Sequence, residues 1–200
     1  MIALLRRLRT DDRGLTLIEM IVSIVILSVV MILFTGGMLQ IYRNVNKTES
    51  MSTVQTQLNV AYLRLDKEIR YASSISTQDA EGSDYYFRYL ISNTGTQTCV
   101  ELKLDGTAKT LLRRTWTHTT GTPAPSPWLP LASNVTATSP FLTTDAAGSQ
   151  LTPRVQVSIR AWSGASNDAT SRASNAVFTA LNASGGSADA SVCSEGDSVP

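Results

Sequence analysis

The chain has 200 residues, enough for one domain with an appendage and a single sizeable core. Lys and Arg number 17 against 16 Asp and Glu, a formal net charge of +1, which excludes a broad electrostatic surface for nucleic acid. A hydrophobic content of 42% excludes a disordered chain and a polytopic membrane protein, and the single histidine, His118, excludes multi-histidine metal sites.

Residues 1–14, MIALLRRLRTDDRG, carry Arg6, Arg7, Arg9 and Arg13 against Asp11 and Asp12. From Leu15 to Gly37, LTLIEMIVSIVILSVVMILFTGG, Glu19 is the only ionisable side chain. As a helix this run is about 35 Å long, enough for a hydrocarbon core of about 30 Å. The span is too long for the apolar region of a secretory signal peptide, and Glu19 does not suit one. Arginines before the span place the leader in the cytoplasm and the bulk of the chain outside, a single-pass arrangement. A carboxylate within a span costs on the order of 2.5 to 3.5 kcal/mol unless it is paired, so Glu19 either snorkels to the interface or meets a neutralising partner.

Between Leu15 and Ile75 there is no proline. Met51, Val54, Leu58, Ala61, Leu65, Ile69 and Ala72 recur at three- and four-residue spacing, the stripe of an amphipathic helix, and the helix is expected to continue over 38–76. Gly36-Gly37 interrupts it. Two glycines weaken a helix by about 1 kcal/mol each, so the pair is either a hinge or the outer membrane edge.

The globular region is expected over 77–182. Asp84 to Ser92 reads as a strand with Tyr85, Phe87, Tyr89 and Ile91 on one face, and Cys99 to Leu104 as a second. Asp105-Gly106 signals a two-residue hairpin turn into a third, from Lys109 to Thr117. Residues 121–130, GTPAPSPWLP, read as an extended proline-rich loop, and further strands are expected at 154–162 and 175–181. Residues 183–200 are small and polar, a mobile tail. The fold class is α+β: one long amino-terminal helix, membrane-spanning and then amphipathic, packed on an antiparallel β-sheet.

Cys99 and Cys193 fall on the exported side, where disulfides persist, and read either as a bridge from the second strand to the tail or as two unpaired thiols. No paired CxxC or HExxH spacing is present, so neither metal ligands nor a cofactor are expected. Asp66 with Glu68, and Asp79 with Glu81, are neighbours two apart and read as solvated acids rather than a catalytic pair. His118 reads as a surface histidine without a partner, and Arg113-Arg114 as alternate faces of an exposed strand. No catalytic residue is assigned and no enzymatic activity is expected.

The segment Arg13-Gly14-Leu15-Thr16-Leu17-Ile18-Glu19 resembles the processing motif of type IV pilins and of the pseudopilins of type II secretion and competence systems. The resemblance implies cleavage after Gly14 by a membrane-embedded prepilin peptidase, methylation of the new amino terminus at Leu15, and pairing of Glu19 with the terminal amine of a neighbouring subunit in a filament. Leu15 departs from the phenylalanine usual there, and Gly36-Gly37 stands where many members carry a proline. Loss of the leader, with four arginines and two aspartates, changes the formal charge from +1 to −1. The stretch QLNVAYLRLDKEIRYASSI, the turn at Asp105-Gly106 followed by Leu112-Arg113-Arg114, and Leu131-Ala132-Ser133-Asn134-Val135 resemble PilW-like and J-type minor members. Implied partners are other pilins, the peptidase, an inner-membrane assembly platform, lipid before assembly, and DNA only in a competence system. The implied location is the cell membrane and then a surface or periplasmic filament. The other reading is a membrane-anchored extracellular binding module that does not polymerise.

Overall fold

The computed structural model describes residues 16–92, 95–147, 151–162, 171–183 and 186–196. Helix α1 spans Leu17–Arg70. The chain divides into two compact units, 1–46 and 47–200.

In the first unit the described chain is helical from Leu17 onward. Its large apolar side chains, from Leu17 through Phe34 to Val45, are exposed. A helix apolar all round, with its backbone bonds satisfied within the segment, suits lipid. Ser28 follows the same rule, since its Oγ donates to Ile24 O at 2.7 Å rather than standing unpaired.

In the second unit the helical stripe Val54, Leu58, Ala61, Leu65 and Ile69 is buried. It packs into one core with the inner faces of two antiparallel sheets. The larger sheet has the order β1-β3-β4-β5-β6, with β2 also on β3: β1 Ala72–Ile75, β2 Asp79–Glu81, β3 Asp84–Ile91, β4 Thr98–Asp105, β5 Thr110–Thr117 and β6 Leu129–Ser133. The smaller has the order β10-β9-β7, with β8 also on β9: β7 Val135–Thr136, β8 Phe141–Thr144, β9 Arg154–Ala161 and β10 Arg172–Thr179. Alternation decides the inner face. Phe87 and Tyr89 of β3, Val100, Leu102 and Leu104 of β4, and Val155, Val157 and Ile159 of β9 are all buried. Phe87 stacks on Phe141 at 5.5 Å between ring centroids, which joins the sheets. Asn134, at φ 56°, is the corner where the chain leaves one sheet for the other. Asn accepts this left-handed conformation at less cost than most residues.

Four local expectations are corrected. The helix ends at Arg70 rather than 76, because Ala72 and Ile75 are buried in β1 and pair with Ile91 and Tyr89 of β3. The hairpin after Asp105 has four residues between its strands, with Lys109 at φ 58° in the left-handed position. Asp105 Oδ1 accepts from the N–H groups of Thr107 and Ala108 at 2.9 and 2.6 Å, which caps the longer turn. Gly106 has a different task there: a Cβ would collide with the backbone of Ser83. The proline-rich segment is loop only as far as 128. Pro130 stands in β6, which lies at the sheet edge, where a missing N–H is tolerated.

Glu68 is the fourth. It is not a solvated neighbour of Asp66 but the acceptor that fastens the helix to the sheet: it takes hydrogen bonds from Tyr89 Oη at 2.5 Å, from Arg64 Nε at 2.9 Å and from Arg113 Nε and a terminal nitrogen at 3.1 and 3.0 Å. Asp66 pairs in the open with Arg70. Burial alone would raise the Glu68 carboxyl. The bonds from Tyr89 and Arg64, together with Arg113, outweigh that and hold it below its usual value. A depressed folded-state pKa contributes stability above the unfolded value, about 4.3, which is lost as pH falls through the folded one. Between about pH 5 and pH 3 the full chain in detergent should therefore lose stability to denaturant more steeply than Glu68→Gln does. Equal slopes would remove Glu68 from the acid response.

Candidate functional site

The amino-terminal site is built on the first turn of α1. Thr16 stands immediately before the helix and Glu19 three residues on, the spacing of a capping box. The Glu19 N–H is 3.1 Å from Thr16 O and 3.4 Å from Thr16 Oγ1, and the Met20 N–H donates to Thr16 O at 3.2 Å. The helix therefore starts where the carbonyl and hydroxyl oxygens of Thr16 meet its first-turn N–H groups. Glu19 is exposed, and no other charge occurs from Leu17 to Tyr42. Gly14 and Leu15, the expected cleavage and methylation positions, lie outside the described residues. α1 runs through Gly36-Gly37, and a Cβ at either position would meet no atom within 4 Å.

Residues 9–35 match the family model described as the prokaryotic N-terminal methylation motif. The chain is type IV pilin-like at its amino terminus. No curated protein and no solved structure matches it. A long amino-terminal apolar helix with antiparallel sheets is the α+β arrangement of a pilin-like fold, and the helix is long and apolar enough to cross a membrane once.

A second cluster, unsignalled by local sequence, lies on the face of the larger sheet away from the helix. β3, β4 and β5 present Arg88, Glu101 and Arg114 side by side there, because Arg88 pairs with Glu101 and Glu101 with Arg114 in register. All three are almost fully buried. Glu101 accepts from Arg88 Nε at 2.9 Å through one oxygen and from Arg114 Nε at 2.6 Å through the other. Arg114 also lies over the rings of Trp128 and Trp116, at 4.4 and 5.7 Å, and donates to Gly196 O at 3.2 Å. Arg113 points the opposite way, to Glu68. The pilin-like chain thus uses the expected alternation of Arg113 and Arg114, yet neither is an exposed strand residue.

The cover for this face comes from the end of the chain. Cys99 of β4 and Cys193 are joined in a disulfide, with Cα atoms 5.8 Å apart, and 188–196, expected within a mobile tail, here form a turn ending in a 3-10 segment, Ser194–Gly196. Gly196 lies so close to the Trp116 ring that any Cβ would collide with it. His118, expected to lack a partner, has Nδ1 2.7 Å from Glu195 Oε1, and that same oxygen accepts from Trp116 Nε1 at 3.1 Å. Glu195 is held below the usual carboxylate range: its slight burial, which acts in the raising direction, is outweighed by the bonds from His118, its own backbone and Trp116. Asp79 and Glu81 lie exposed on β2, with Asp79 3.5 Å from Arg88.

Removing Glu101 leaves two buried guanidinium groups without the carboxylate between them. Glu101→Ala should destabilise the chain by about 3–5 kcal/mol in denaturant unfolding. A loss below about 1 kcal/mol would mean that Arg88 and Arg114 are held by other groups.

Proposed function

We propose that the chain is a minor pilin or pseudopilin: a non-catalytic structural subunit, made as a membrane-inserted precursor with its leader in the cytoplasm, cut between Gly14 and Leu15, methylated on Leu15, and assembled through its apolar helix into a type IV pilus or a secretion or competence pseudopilus. The observation that carries this reading is one coincidence of residues. The methylation motif falls on a span whose only charge, Glu19, occupies the fifth position after Gly14. A carboxylate there is costly in lipid, and the new ammonium at Leu15 of an adjoining subunit offsets that cost, setting the axial stagger between subunits. Gly36-Gly37 would let the helix bend or melt locally during entry. Its likeness to PilW-like and J-type members supports a place at filament initiation or at the tip, beside other minor subunits and above the inner-membrane assembly platform.

Processing is read directly at the amino terminus. In cells with an active prepilin peptidase, mass spectrometry of the purified protein should find Leu15 as the first residue, carrying one methyl group, while a Gly14→Val chain keeps its arginine-bearing leader. A wild-type chain that still begins with residues 1–14 in those cells would overturn the proposal.

A further inference from the structure

A strand at the edge of a sheet invites pairing with another chain unless it is short, charged, interrupted by proline or covered. Most edges of this molecule are blunted in one of those ways. β1 has four residues, β2 has three with Asp79 and Glu81 exposed, β6 carries Pro130, and β7 and β8 have two and four residues. β10 is the exception: eight residues at the end of the smaller sheet, with no proline and no charge from Ala173 to Thr179, and with Val177 59% exposed.

The register fixes which of its backbone groups are left over. The Ala180 N–H donates to Pro153 O, continuing the pairing in which Thr179 faces Arg154 and Phe178 faces Val155. Antiparallel pairs alternate, so Ser174, Ala176 and Phe178 turn their N–H and C=O groups to β9, while Ala173, Asn175, Val177 and Thr179 turn theirs to the open side. The Leu181 N–H takes the Thr179 carbonyl at 3.1 Å. The N–H groups of Asn175, Val177 and Thr179 and the carbonyls of Ala173, Asn175 and Val177 form a row with no strand beside it among the described residues.

Two cavities meet at Ala173, at the start of this edge. One, of about 320 Å³, is lined by Thr136, Ser139, Ser158, Arg160 and Asn175, a set of hydroxyls, an amide and a guanidinium. The other, of about 200 Å³, lies between Met51 and Leu58 of α1 and Ala161 and Arg172 of the smaller sheet. Neither is lined by an acid.

We propose that β10 is a docking edge for an extended segment of another protein, which joins the smaller sheet as a further strand. Main-chain bonds to Asn175, Val177 and Thr179 supply the attachment, and the cavities supply the selection. An added strand sends alternate side chains to opposite faces. The segment therefore alternates polar or acidic residues, which meet Arg160 and the hydroxyls, with apolar residues, which meet Met51 and Leu58. A second copy of β10 suits the edge less well, because RASNAVFT brings no acid to Arg160 or Arg172. The inference stands whether or not the chain is processed and polymerised.

Amide exchange followed by NMR, on the full chain in detergent micelles, reads this edge residue by residue. Without a partner, the amides of Asn175 and Val177 should exchange at least about a hundredfold faster than those of Ala176 and Phe178. The peptide Thr-Val-Glu-Val-Ser-Val-Glu-Val-Thr should protect them roughly tenfold, and the same peptide with Lys for Glu should bind several-fold more weakly. Arg160→Gln should narrow that difference. Val177→Pro removes only an outward N–H, so it should keep the Cys99–Cys193 bridge and the wild-type unfolding midpoint to within a few degrees, yet bind the acidic peptide at least about tenfold more weakly. Edge amides already protected in dilute free chain, no protection at about millimolar acidic peptide, or a folded Val177→Pro chain that binds as wild type would each overturn the proposal. Protection that grows with chain concentration in the absence of peptide would overturn it in favour of pairing between copies.

Discussion

A carboxylate in hydrocarbon is tolerated only when something opposite in charge or rich in donors stands beside it. Glu19 is the one charge in the apolar stretch from Leu17 to Tyr42, and its backbone N–H meets the carbonyl and hydroxyl oxygens of Thr16 in the first turn of α1. The capping geometry explains why the helix starts at Leu17. It does not remove the cost of placing the side chain in lipid, since the helix terminus supplies only a fraction of a positive charge. In the assembly proposed above, the complement is a full ammonium from an adjoining subunit, which would exist only once the leader had been cut away. In the proposed assembly, one residue therefore couples processing to polymerisation.

The second unit answers the same electrostatic problem by internal pairing. Glu68 on the helix side and Glu101 on the outer side of the larger sheet each collect arginines, and adjacent residues Arg113 and Arg114 divide between them by the alternation of β5. The sheet is thus pinned on both faces by ion pairs of limited exposure. The outer pair requires a lid, because an uncovered Arg–Glu–Arg cluster would be hydrated and weak. Trp128, Trp116 and the segment ending at Gly196 supply that lid, and the Cys99–Cys193 bond keeps it in place.

The periodic elements were legible in the sequence. The stripe Val54, Leu58, Ala61, Leu65 and Ile69 is buried as its spacing implies, and β3, β4, β5 and β9 follow their two-residue alternation to within a residue or two. The short strands β1, β2, β6, β7 and β8 were not, because two to five residues carry too little pattern and depend on a partner strand for their definition. Ala72 closed the helical period and Ile75 fell within the expected helix, yet both lie in β1, where pairing with β3 prevails over local preference. His118 met Glu195 across 77 positions and Arg114 met Gly196 across 82, distances at which single-chain patterning is silent. The Cys99–Cys193 pair was the one available signal that the end of the chain returns to β4, and it did not reveal that His118 and Glu195 converge on the same sulfur.

The central claim is that Glu19 serves assembly rather than membrane insertion. Its most direct test compares wild-type and Glu19→Ala chains in cells that build the filament, measuring the share of each in the membrane fraction and in sheared filaments. The account predicts equal membrane insertion and a marked depletion of Glu19→Ala from the filaments. Equal incorporation of the two chains would contradict it.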